Sequence, residues 1–89
     1  MASGAQHHEG DEAFPRVAST VVHHTWWVST IKWPHNLAPP GRLPLYYETA
    51  VFEMDNYDCV MTRRYPDENT ARRGHRRIVK HIRKEGHPS

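Results

Sequence analysis

One cysteine, Cys59, is too few for an internal disulfide, and no apolar run reaches the length of a membrane span or a signal-peptide core. A soluble, reducing setting without secretion is therefore expected. The sequence also lacks a Cys-x-x-Cys or His-x-x-x-His pair, a glycine-rich phosphate loop and a recognisable nucleophile with its base at diagnostic spacing. No metal, cofactor or catalytic residue is expected on these grounds, and the chain reads as a non-enzyme. With 89 residues there is room for one small domain, and such a domain buries only about 60% of its unfolded surface, so partner or dimer contacts add useful stability. Net charge is only +2, too little to make the whole chain a polyanion binder.

What charge there is lies at one end. Residues 67–89 hold seven Lys or Arg against Asp67, Glu68 and Glu85, a net +4, while the rest of the chain is at −2. Between Asp67 and Lys84 the pattern predicts an amphipathic helix. At 3.6 residues per turn Ala71, Gly74, His75, Ile78, Val79 and Ile82 fall on one side, and Arg72, Arg73, Arg76, Arg77, Lys80, Arg83 and Lys84 on the other. Asp67 after Pro66 is a natural N-cap, Glu68 suits the positive helix end, and Gly86 with Pro88 closes the segment.

Upstream, residues 1–19 read as a flexible or partner-bound arm with Gly4, Gly10, Pro15 and a single aromatic, Phe14. The run from Thr20 to Trp33 is rich in β-branched and aromatic residues and reads as one long strand ended by Pro34. A rigid connection containing Pro39, Pro40, Gly41 and Pro44 follows, then strands from Leu45 to Met54 and from Tyr57 or Cys59 to Tyr65, joined around Asp55 and Asn56. The expected architecture is α+β: an antiparallel three-stranded sheet packed by one C-terminal helix, a ββ(β)α domain over 20–86 with a tail at 87–89. In the hairpin register Tyr46, Glu48, Ala50, Phe52, Met54, Cys59, Met61, Arg63 and Tyr65 share one face, the better seat for the helix, with Cys59 a packed thiol.

With a two-residue loop, one of the two registers that share this face, Glu48 stands opposite Arg63, and with His75 approaching from the helix this predicts a structural polar network of the three. A catalytic Glu–His pair is the sharper alternative, weakened by the missing nucleophile. The eight histidines give no ligand pair: His23 and His24 point to opposite faces of a strand, and His75 and His81 diverge around the helix.

The pieces Val28-Ser29-Thr30, Tyr47-Glu48-Thr49-Ala50-Val51-Phe52, Arg64-Tyr65, Ala71 and Gly74-His75 together resemble a group of small uncharacterised actinobacterial phage proteins, over roughly residues 26–82. The resemblance implies a viral source, with the host bacterial cytoplasm or the virion as location, and supplies no chemistry. The sequence departs from that group at Arg72, Arg73, Arg76 and Arg77, where acids are usual.

Adjacent Trp26 and Trp27 must lie on opposite sheet faces, and one helix covers only one face. Trp26, Trp27 and Trp33 are therefore candidate partner-binding residues, as are Arg73, Arg77, Lys80 and Lys84 of the basic ridge. The expected role is a phage accessory or virion-associated protein-interaction module, with a homodimer as one form of it. The alternative is a small electrostatic nucleic-acid binder using the basic helix face. A membrane role is not expected, because too few bulky apolar residues flank the ridge.

Overall fold

A computed structural model describes residues 15–89. Four strands, not three, form one antiparallel meander: β1 (Arg16–Val22), β2 (Trp26–Lys32), β3 (Tyr47–Glu53) and β4 (Cys59–Tyr65), in spatial order β1-β2-β3-β4. Among the described residues one helix, α1 (Glu68–Glu85), crosses one face. The chain is thus α+β, as its pattern predicts, with one strand more.

The extra strand comes from a turn inside the expected long strand. His23 and His24 both adopt positive φ, 55° and 56°, and the Thr25 N–H donates to the Val22 carbonyl at 3.1 Å. Two central residues with positive φ mark the hairpin turn that ordinarily favours Asn-Gly. Here two histidines accept that conformation, with the Thr25 hydroxyl donating to the His23 carbonyl at 2.9 Å. The turn folds residues 16–22 back onto β2, so Arg16–Ser19 belong to the sheet and not to an arm. The remainder of the proposed arm, residues 1–14, lies outside the described residues.

The Pro-rich connection between β2 and β3 is a hydrogen-bonded loop. Pro39 and Pro40 lead to Gly41 at φ 84°, and the Arg42 N–H donates to the Pro39 carbonyl, which closes a turn that needs glycine at its third position. Asn36 Oδ1 accepts from the backbone of both Ala38 and Leu45 at 2.8 Å, which ties the loop's two ends together.

One residue decides which side of β3 meets the helix. The β3–β4 hairpin begins in the expected register, with Phe52 opposite Cys59, but Val60 is then bulged out and the pairing resumes at Val51 opposite Met61. A one-residue slip turns a strand over relative to its neighbour. Thr49 and Val51 therefore join Met61, Arg63 and Tyr65 beneath the helix, while Glu48, Ala50 and Phe52 face away. The expected helix seat on β3 was the wrong face, and Cys59 at the hairpin end is exposed instead of packed.

The helix follows its sequence signals closely. All six residues expected inside, Ala71, Gly74, His75, Ile78, Val79 and Ile82, are buried. Asp67 caps the start by accepting from the Thr70 N–H at 2.8 Å, and Gly86 in the left-handed region ends it by donating to the Ile82 carbonyl. The core consists of Val22, Val28, Val51, Ile78, Val79 and Ile82, with Trp26 and Met61 packed against it. Six aliphatic side chains make a small core, so each one matters more.

Candidate functional site

Beneath the helix the first three strands each contribute one hydroxyl to a line across the sheet. Thr20 of β1 sits 2.9 Å from His75 Nε2, Thr30 of β2 sits 2.7 Å from His75 Nδ1, and Thr30 is hydrogen-bonded to its cross-strand partner Thr49 of β3. Thr30, Thr49 and His75 are all buried, and the chain of bonds satisfies each of them. The sequence pattern conceals this line because threonine reads as an ordinary strand former. The signal that points to it is the lone inward histidine, which needs a partner for each ring nitrogen.

Burial, and secondarily the positive charges of Arg72 and Arg76, hold the His75 pKa below the usual imidazole value of 6.5. An imidazole with a depressed folded-state pKa stays neutral inside while its unfolded counterpart takes up protons. Its contribution to stability is therefore complete above pH 6.5 and is lost as pH falls below 6.5 through the folded-state value. Urea denaturation at pH 7.5 and pH 5.5 should show lower stability at the acid value, and His75→Gln should flatten that difference. A protein that gains stability on acidification over this range contradicts the assignment. Asp67, held below the ordinary carboxylate range by its hydrogen bonds from Thr70, keeps its cap until pH falls below 3.8, well outside that window.

Burial raises the Tyr65 pKa, partly offset by the charges of Arg63 and Arg77, so this residue remains a phenol at neutral pH. Its ring lies directly over Gly74. A Cβ at position 74 would stand 2.6 Å from Tyr65 Cε1 and closer still to Cζ and Oη. Glycine at position 74 leaves room for this ring.

The expected Glu48–Arg63–His75 network does not form, and the Val60 bulge is the reason. Glu48 is opposite Arg64, not Arg63, and points to the open face, where Oε2 accepts from Arg64 Nε at 3.2 Å and Oε1 accepts from Trp33 Nε1 at 3.0 Å. Arg63 lies opposite Thr49 and donates to the neighbouring Thr62 carbonyl at 2.9 Å. His75 bonds threonines and no carboxylate, so the Glu–His pair weighed as a catalytic alternative is not assembled.

The three tryptophans occupy three different places. Trp26 packs on the helix side and donates from Nε1 to the Gly86 carbonyl at 3.0 Å, which makes it a core residue tying β2 to the end of α1. Trp33 is bound to Glu48 at the loop end of the sheet, 5.6 Å from the ring of His35. Only Trp27 stands in the middle of the face opposite the helix.

That open face is ordered in rows. Val21, Trp27 and Phe52 form an apolar row, with the Trp27 and Phe52 rings 5.1 Å apart and Trp27 Nε1 donating to Ser19 Oγ at 2.9 Å. Ser19, Ser29, Ala50 and Thr62 form a row of small residues beside it, and Ile31, Glu48 and Arg64 the next. Val21 is 50% exposed and nearby Tyr57 60%. Among the described residues no element packs over this face. A shallow cleft of about 380 Å³ runs between Arg16, Val21, Trp27, Met54 and Tyr57, and the Arg16 guanidinium lies 5.5 Å from the Trp27 ring centre.

On the helix, Arg73, Arg77, Lys80 and Lys84 are exposed as expected, and none of them makes an ion pair with a described residue. Arg72 is neutralised by Glu68 one turn earlier, at 2.8 Å. Among the described residues no group of three His, Cys, Asp or Glu side chains gathers as a metal site, and no described helix is long and apolar enough to cross a membrane. No protein-family model, curated protein or solved structure matches the chain.

Proposed function

We propose that the chain is a non-enzymatic protein-interaction module, an accessory or virion-associated component in the setting implied by the phage resemblance, and that it docks through the open sheet face around Trp27. The aromatic pair Trp27 and Phe52, half-buried beside the exposed Val21, carries this reading. Tryptophan in a flat, partly desolvated setting is the residue type that dominates interface energies. The adjacent row of small residues gives a partner's side chains somewhere to sit. His75, the buried histidine among the described residues, has both ring nitrogens engaged, which supports a role outside catalysis.

Size bears on the kind of partnership. Four strands of about seven residues cover roughly 450 Å² at ordinary strand spacing. A standard interface takes about 800 Å² from each partner. Docking through this face alone is accordingly weak per copy, which suits repeated contacts in an assembly, where linked weak contacts add up.

The test compares capture by the full-length wild type and by Trp27→Lys, from cells that produce the natural partner, with nuclease present. Loss of a central interface tryptophan should lower affinity by about 30-fold, equivalent to about 2 kcal/mol, so the variant should fail to retain the protein held by the wild type. Its circular dichroism should be unchanged, because Trp27 lies outside the core. Equal recovery by both proteins, or recovery that nuclease abolishes, refutes docking through this face.

A further inference from the structure

The flank of the helix next to β1 holds a concave cationic feature that the Trp27 face does not use. Arg76, Lys80 and Arg83 follow one another along α1, with Cα atoms about 6 and about 4.5 Å apart along its axis. Together with Val79 they line a groove of about 370 Å³ against β1, where Thr20 and His75 complete the lining. No carboxylate lines it, and none of the three cations makes an ion pair with a described residue.

An ordinary solvated face would mix signs. Here Arg73 and Arg77, Arg76 and Lys80, and Lys80 and Lys84 are like charges one turn apart, each pair destabilising the helix. An anion in the groove relieves that repulsion. On the opposite flank a second groove of about 340 Å³ includes Arg63 and Arg77 in its lining. A helix about 10–12 Å wide with cations on both sides matches the major groove of B-form DNA, about 12 Å wide and bordered by phosphates on both sides.

We propose that the groove beside β1 seats backbone phosphates of duplex DNA, bound without sequence preference by Arg76, Lys80 and Arg83 and by the hydroxyl of Thr20. The buried line of hydroxyls gives Thr20 a defined part. If Thr30 donates to His75 Nδ1, then His75 Nε2–H donates to Thr20, whose own O–H is left to donate to a phosphate oxygen. The opposite polarity uses the Thr20 proton on His75 and leaves none for the ligand. Bound phosphate therefore selects the Nε2–H tautomer of His75.

The measurement is fluorescence anisotropy of a labelled 20-base-pair duplex of arbitrary sequence against salt, with the full chain and with R76Q/K80Q/R83Q. Each phosphate contact adds about 0.9 to the slope of log affinity on log salt, so three contacts add about 2.7. Between 50 and 200 mM salt the wild type should lose roughly 40-fold more affinity than the variant. Imidazole ¹⁵N shifts should show His75 in the Nε2–H form when DNA is bound. Absence of binding at 50 mM salt, a slope unchanged by the three substitutions, or an Nδ1–H tautomer of His75 in the DNA-bound state would each overturn the proposal. So would equal displacement of the DNA by polyglutamate of matching charge, which would assign the groove to an acidic protein. Trp27→Lys should leave this binding unaltered, so failure here and failure of the sheet-face docking are separable.

Discussion

Replacing Ile82 by Asp abolishes cooperative folding. Ile82 is fully buried at the meeting of helix and sheet, beside the five other aliphatic residues of the core. A carboxylate there has no cation within the core to pair with and must either stay charged out of water or take up a proton at a cost. The penalty is roughly 4–5 kcal/mol, at the far end of what single substitutions do. A domain of this length has about 4–11 kcal/mol in total, so little or none of its stability survives. Ile82→Val, which removes one methylene, should cost only about 1 kcal/mol and keep the fold. Ile78→Asp should act in the same direction with a smaller effect, since that side chain retains slight exposure. Circular dichroism and urea melts decide the matter, and wild-type-like melting of Ile82→Asp would show that the helix does not pack through this residue.

The second large effect runs against helix propensity. Alanine is better than glycine inside a helix by about 1 kcal/mol, so a free helix would gain from Gly74→Ala. In the folded chain the new methyl group meets the Tyr65 ring, which is rigid. Forced overpacking of this kind costs about 1–3 kcal/mol. The net expectation is a loss of about 2 kcal/mol in denaturant melts. In a Tyr65→Ala background the same change should be neutral or stabilising, because the obstacle is gone. Stabilisation by Gly74→Ala in the wild type would mean that the ring does not lie over the glycine.

The helix was readable to its last buried residue because its signals are local: an N-cap, a 3.6-residue period and a terminal glycine all lie within one stretch of chain. The β1–β2 turn was not, since His23 and His24 hold a conformation that usually advertises itself with Asn or Gly, and Val22 and Thr25 on either side continue the pattern of a strand. The Val60 bulge carries no glycine or proline to mark it, yet it reassigns Glu48, Arg63 and Thr49 at a stroke. Everything inferred about the polar network depended on that one residue. The opposition of Trp26 and Trp27 was legible from strand alternation alone, whereas the fate of each ring depended on where the helix ended. Thr20, Thr30 and Thr49 come from three strands far apart in the chain, and only the fold aligns them with His75.

The three tryptophans supply the most direct test of where the protein docks. Trp26 reports the end of the helix, Trp27 the open face and Trp33 the loop end of the sheet, and each has an indole N–H bound to a different acceptor, Gly86, Ser19 and Glu48 respectively. A ¹H–¹⁵N spectrum of the full chain should show each indole as its own signal, which can be followed as the captured partner is added. Docking through the open face predicts that the Trp27 indole shifts or broadens strongly while that of Trp26 stays in place. A titration in which Trp27 is unmoved and Trp26 or the α1 amides respond would contradict it.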